Sequence, residues 1–243
     1  MKEDKKIPES DWEAIDASER KDNEDKGVKS RFENGLFVAA GMVELNMLFL
    51  LTSIPIFTIG AGYTAMYVTI HHAMEDRGTS IHRTYFEKFK ENFKQSTLIW
   101  IIGMILFAIF ASDYYFALTG GIGGLATVLS VLAGIGILLT SFVMLWSLAL
   151  TGLFENTLGK TVSNGLFISL KNAPRSFAMT ILSLSPLLSL WWAPDKWSME
   201  LLLLVLFWAA AIAYCNVTLT KDVFARYMGQ DETSTEEKNR EEE

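Results

Sequence analysis

The stretch LTSIPIFTIGAGYTAMY, Leu51 to Tyr67, breaks an apolar region with Pro55, Gly60 and Gly62 and then resumes it. Its reading decides the topology. The residue before a proline avoids the helical region, so Ser53-Ile54-Pro55 ends a first helix. Thr58 is placed to cap a second. Gly60 and Gly62 carry no side chain, so two helices can approach closely near the turn. The simplest reading is a tight hairpin at the outer face of a membrane. The sharper one is a broken or re-entrant element whose freed backbone groups line a substrate site.

Outward from this stretch, the charge is segregated. Residues 1–33 carry eleven acids and eight bases, and residues 229–243 carry seven acids and two bases. The net charge of −7 over 243 residues therefore resides in the tails, and the low pI says little about partners. The expected organisation is a charged, largely disordered cytoplasmic tail at 1–33, a membrane domain at 34–228 and an acidic disordered tail at 229–243. The first thirty-odd residues lack the apolar core of a signal peptide. A single Cys215, inside an apolar run, excludes an intrachain disulfide framework and reads as a small buried side chain.

A hydrocarbon core about 30 Å thick needs roughly 20 apolar residues in helix. Leu36–Ile54, Thr97–Leu118, Leu125–Thr151, Phe177–Trp192 and Met199–Val217 meet or approach that length, and Ile59–His72 is a shorter sixth candidate. With six spans and the N-terminus inside, the inner loops hold Arg77, Arg83, Lys88, Lys90, Lys94, Lys160, Lys171 and Arg175. The outer loops then hold only Lys196. That asymmetry follows the positive-inside rule, and Tyr114, Tyr115, Trp191, Trp192 and Trp197 fall at the outer interface. Trp100 falls at the inner one. The expected fold is all-α: six transmembrane helices as three hairpins, with two interfacial amphipathic elbow helices and both termini cytoplasmic.

The elbows resemble each other. Tyr85–Lys94 aligns without a gap on Leu166–Arg175, placing Phe86 on Phe167, Phe89 on Leu170, Lys90 on Lys171 and Lys94 on Arg175. Phe86, Phe89 and Phe93 recur at helical spacing among bases, the pattern of a helix lying in the interface. Asn-Gly-Leu-Phe occurs at 34–37 and again at 164–167, consistent with duplication or with chance. The elbow residues Phe86, Phe89, Lys90, Lys94, Leu170, Lys171 and Arg175 are candidates to meet lipid headgroups or a cytoplasmic partner.

Glu44 is the one acid well inside a span, where insertion costs about 2.5–3.5 kcal/mol, so it should face the bundle interior, a cavity or a partner. It reads as a proton or cation site or as a structural hydrogen-bonding group. Asn46, about 200° around the helix, cannot share its face and reads as interhelical glue. Glu44, Asn46, Pro55, Thr58 and Gly60 make up the candidate intramembrane polar site. His71-His72-Ala-Met-Glu75-Asp76 has metal-like spacing, but no second ligand set accompanies it. No GKS or GKT follows a glycine run, as a phosphate-cradling loop requires, and no HExxH and no GxSxG occurs. No catalytic residue, cofactor, metal or nucleic-acid partner is expected.

Two blocks carry a family resemblance. The first is Asn46 with its apolar run, Ser53-Ile-Pro55-Ile-Phe-Thr58-Ile-Gly60 and Ala65-Met-Tyr67; the second is Phe86-Glu-Lys-Phe89-Lys90-Glu-Asn92-Phe93-Lys94. Over about residues 32–95 the chain resembles the YesL family of bacterial membrane proteins, a domain of unknown function. At Gly62 the family often has another small residue or proline. The resemblance implies a multi-pass protein of the bacterial plasma membrane, associated with carbohydrate uptake through ABC transporters, and it transfers no catalytic residues. The chain is not itself such a permease: Glu75-Asp76-Arg77-Gly78 is followed by no Leu-Pro of the cytoplasmic coupling loop. The expected function is a non-enzymatic accessory or regulatory component of that uptake, with membrane lipids and ABC subunits as partners. The alternative is an autonomous small-solute transporter with its site at Glu44, Asn46 and the Pro55–Gly62 break.

Overall fold

The computed structural model describes residues 40–75, 80–119, 123–192 and 201–241. The tail expected at 1–33, Arg77, most of the loop at 119–124 and the turn at 193–198 lie outside them. The chain divides between Met42 and Val43, and the architecture below is that of Val43–Glu243.

Among the described residues every regular element is helical. Helix α1 (Ala40–Thr52) stops before Pro55, as the proline requires. A single 3-10 turn, Ile56–Thr58, leads into α2 (Ile59–Glu75). Then come α3 (Ile81–Thr119), α4 (Gly124–Leu153), α5 (Leu158–Lys171) and α6 (Ala173–Trp192). A π-helical turn, Leu204–Trp208, opens into α7 (Ala209–Glu241).

All six apolar segments are thus helical where described. Two helices, α3 and α4, are long and apolar enough to cross a membrane. In their most apolar windows only 17% of α3 and 33% of α4 is buried within the protein, so most of each apolar surface faces outward, which suggests membrane association. Ile101, Ile102, Met104, Ile105 and Ile109 on α3, and Val128, Leu129, Val131, Leu132 and Ile135 on α4, are exposed. The two helices approach closely at glycines. A Cβ on Gly103 would meet Met144 Sδ at 2.7 Å, and one on Gly136 would meet the Phe110 ring at 2.6 Å.

The buried core lies lower, where α2, the last turns of α4 and the middle of α7 meet. Trp146, Tyr67 and Phe224 are fully buried, with Phe224 edge-on to Trp146 at 5.5 Å and to Tyr67 at 6.5 Å. Several of its polar groups are bonded between helices. Ser96 donates to the Thr64 hydroxyl and Thr64 to the Leu148 carbonyl, the Trp146 indole donates to Ser176, and Tyr67 pairs with Thr220.

Two departures from the sequence expectation have physical causes. The first elbow is not a separate helix. With no proline and no glycine between Ile81 and Ile102, nothing stops the helix, and α3 runs unbroken for 39 residues, about 58 Å. The second elbow is interrupted at Asn172, since Pro174 has no N–H for the Leu170 carbonyl and is tolerated only in the first turn of α6. At the C-terminal end, α7 is helical to Glu241. Gly229 is the one strong helix breaker there, at roughly 1 kcal/mol.

Two further irregularities are joined. Pro186 sits inside α6 and deprives the Leu182 carbonyl of its partner four residues on. The Ser185 hydroxyl donates to that carbonyl at 2.6 Å, and the Trp208 indole, at the end of the π turn, donates to Ser185 at 3.2 Å. Just past the same turn, the Ala210 backbone N–H is taken by Asn46 Oδ1 at 3.1 Å.

Candidate functional site

The candidate intramembrane residues do not converge. Asn46 is completely buried and bridges α1 to α7 through Ala210, the interhelical role expected of it. Turning Asn46 inward turns Glu44 outward, because the two sit about 200° apart. The Glu44 side chain is 44% exposed, and its carboxylate lies 3.5 Å from His82 Nδ1 at the start of α3. Glu44 therefore does not face the bundle interior; its neighbour is a histidine from the elbow helix.

The Pro55 turn closes on itself. Thr58 is buried, and its hydroxyl bonds the Thr52 carbonyl at 2.5 Å and the Pro55 carbonyl at 2.6 Å. Thr58 does not cap α2 as expected; it staples the end of α1 to the turn. Pro55 itself is exposed. Gly60 is buried where α2 touches α3, with room for no side chain: a Cβ would lie 2.5 Å from Trp100 Cβ and 2.6 Å from the Ser96 carbonyl oxygen.

The depth of this turn corrects the sequence reading. The Trp100 indole N–H donates to the Ile56 carbonyl at 3.0 Å, and the Thr52 hydroxyl pairs with the Tyr85 hydroxyl at 2.6 Å. The expectation placed 52–58 and 85–100 at opposite faces of the membrane. Groups about 30 Å apart cannot share a hydrogen bond. The α1–α2 turn reaches only the level of Trp100, and α3 continues for about 28 Å beyond it.

On the elbow, Tyr85 stacks on Phe89 at 6.3 Å and Phe89 meets Phe93 edge-on at 5.5 Å, so the inward face runs through 85, 89 and 93. Phe86 is 38% exposed and lies off that row. Lys90 and Lys94 are exposed, and among the described residues neither pairs with an acid, whereas Lys88 bonds Glu91 at 2.8 Å. Burial pushes the Tyr85 phenol up to about 12, with its bond to Thr52 acting in the opposite direction.

Leu170 and Lys171 are exposed at the C-terminal end of α5, and Arg175 is half-buried at the start of α6. The two elbows meet elsewhere: Gln95 donates to Thr161 at 2.8 Å, near the other end of α5. Lys171 lies ten positions along, about 15 Å away, so the two basic groups do not form one patch. Cys215 faces outward and is exposed, contrary to expectation.

Sequence reasoning missed the contacts of Tyr85, Trp100, His82 and Ser185. Only Ser185 left a signal, as a hydroxyl residue beside a proline in an apolar run. Buried Thr64, Ser96, Ser176 and Asn46 bond from one helix to another, while Thr69, Thr140 and Thr151 bond back to their own helices, which is scaffold chemistry.

These features define an all-helical protein with at least two helices suited to a bilayer. The segment 42–114, from α1 through most of α3, matches a family described as "Protein of unknown function, DUF624". That description is compatible with the resemblance drawn from the sequence. No curated protein and no solved structure matches the chain.

Proposed function

We propose that the chain is a multi-pass membrane protein acting without chemistry of its own, as an accessory or regulatory subunit of an uptake system. The observation that carries this reading is the exposed basic face of α3, at Lys90 and Lys94, which pair with no acid among the described residues, on the same helix that continues into an apolar, outward-facing half. A partner bound there engages a helix anchored in the bilayer. The sequence resemblance extends the reading to ABC-type carbohydrate uptake at a bacterial plasma membrane. The six-span expectation becomes four crossings, α3, α4, α6 and the helix from residue 201 into α7, with α1–α2 as a re-entrant hairpin. Both termini remain cytoplasmic. The Trp100–Ile56 bond supports this arrangement. The transporter alternative draws less support, since Asn46 and Thr58 are engaged by backbone groups and Glu44 points away from both.

The test is purification from native membranes in mild detergent with identification of bound proteins by mass spectrometry. Recovery of permease or ATPase subunits, lost in the Lys90→Glu/Lys94→Glu variant, is the expected result. Recovery of the protein alone, from membranes shown to keep other complexes intact, overturns it.

A further inference from the structure

We infer that α3 and the tip of the α1–α2 turn form a seat for one anionic phospholipid, its phosphate at Lys94 and Lys90 and an acyl chain lying between the tip and α3. The inference rests on the membrane reading above and assigns to a lipid the same two lysines that the partner reading uses.

The argument starts from helical spacing. Arg83, Glu87, Lys90, Lys94, Leu98, Ile101, Ile105 and Ala108 follow one another by three or four positions and so form a single stripe along α3. Every residue of that stripe is exposed. The stripe changes character once, just beyond Lys94: bases with one acid below, apolar side chains above. From Lys94 to Ile105 is about 16 Å along the axis, close to half of a hydrocarbon core about 30 Å thick.

The upper part of the stripe is one wall of a groove. Ile101, Met104, Ile105 and Ala108 line it from α3, Trp100 closes its lower end, and Ile54, Ile56 and Phe57 line it from the turn. Ile54 is 74% exposed and Ile56 70% exposed, so no protein segment among the described residues covers them. Trp100 fixes the tip to α3 through the Ile56 carbonyl, so the groove is held at a set width.

Because the hairpin ends at the level of Trp100 while α3 continues, a space opens above the tip within the hydrocarbon layer. An empty space there forfeits the dispersion contacts of every side chain lining it. Water has no polar partners to hold it in that groove. A lipid chain fills it, and the headgroup of the same lipid then falls beside Lys94 and Lys90. Glu87 lies a turn further from the bilayer, and Glu91 is occupied by Lys88, so the bases nearest the apolar wall set the sign of the headgroup. Phosphatidylglycerol has that sign; phosphatidylcholine does not.

The experiment uses the full chain in vesicles of phosphatidylglycerol and phosphatidylcholine, extracted in mild detergent and weighed by native mass spectrometry with its retained lipids. A carbonate wash first establishes that the chain is membrane-embedded; release by that wash sinks the membrane reading itself. The embedded wild type should retain phosphatidylglycerol in preference to phosphatidylcholine. Lys90→Gln/Lys94→Gln should lower that preference by up to about thirtyfold. Ala108→Trp, which fills the groove from an outward-facing position, should abolish retention with helix content unchanged by circular dichroism. Equal retention of the two lipids by the embedded wild type, or wild-type retention in both variants, overturns the seat and leaves the membrane reading standing.

Discussion

The indole N–H of Trp100 donates to the backbone carbonyl of Ile56 across 44 positions of sequence at 3.0 Å. One hydrogen bond thereby sets how deep the α1–α2 hairpin reaches along α3. Trp100→Phe keeps the ring and removes the donor. It should destabilise the protein by about 0.5–1.5 kcal/mol, read as a lower melting temperature in detergent. Trp146→Phe, which strips the Ser176 bond from a fully buried pair, should cost more.

Glycine substitutions separate contact from propensity. Gly60→Ala drives a methyl against the Ser96 backbone carbonyl at 2.6 Å, which no rotamer change relieves, and should cost about 1–3 kcal/mol. Gly134→Ala meets nothing within 4 Å in the middle of α4 and should be neutral or stabilising by up to roughly 1 kcal/mol. Equal melting temperatures for the two variants would contradict the α2–α3 packing.

Asn46 and Glu44 make a paired test. Asn46→Leu leaves the buried Ala210 N–H without its acceptor and should cost about 1–3 kcal/mol. Glu44→Gln removes only a half-exposed contact with His82 and should leave both membrane abundance and function near wild type. Loss of function in Glu44→Gln at normal abundance would revive the transporter alternative.

These positions also show what the sequence disclosed. The helical segments, the stop at Pro55 and the opposite orientations of Glu44 and Asn46 follow from proline chemistry and the 3.6-residue period, which are local rules. Which of the two residues turned inward was not legible, because it depends on the Ala210 N–H at the edge of a π turn far along the chain. The depth of the Pro55 turn was hidden for the same reason: aromatic and positive-inside patterns place residues relative to a bilayer, not to each other. The continuity of α3 was readable from its lack of breakers, but the change from charged to apolar residues near Lys94 resembles a boundary. The patterns that proposed a partner surface at Lys90 and Lys94 hold no information about what docks there.

Ser185 links two irregular helices, since it accepts from Trp208 and donates to the carbonyl that Pro186 leaves free. Ser185→Ala should lower stability by about 1–3 kcal/mol, and Pro186→Ala in the same background should recover part of it by restoring the missing N–H. No recovery in the double variant would show that the proline carbonyl is not what Ser185 serves.

Tyr85 gives the alkaline limit. Its phenol is pushed up to about 12 in the folded chain against an ordinary value near 10. A raised value means the folded state holds the proton more tightly. The associated stability is therefore complete below about pH 10 and lost as pH rises toward 12. Unfolding measured across that window should show the loss in the wild type and a smaller one in Tyr85→Phe.

The unbroken course of α3 has a mechanical consequence. An unbroken helix about 58 Å long acts as a lever: a tilt of about 10° around its midpoint swings each tip by roughly 5 Å. The segment beside Glu44 and the exposed apolar segment are opposite arms of that lever. A load that tips the apolar arm is delivered, with no joint to absorb it, as a displacement of His82, Phe86 and Lys90 at the other end.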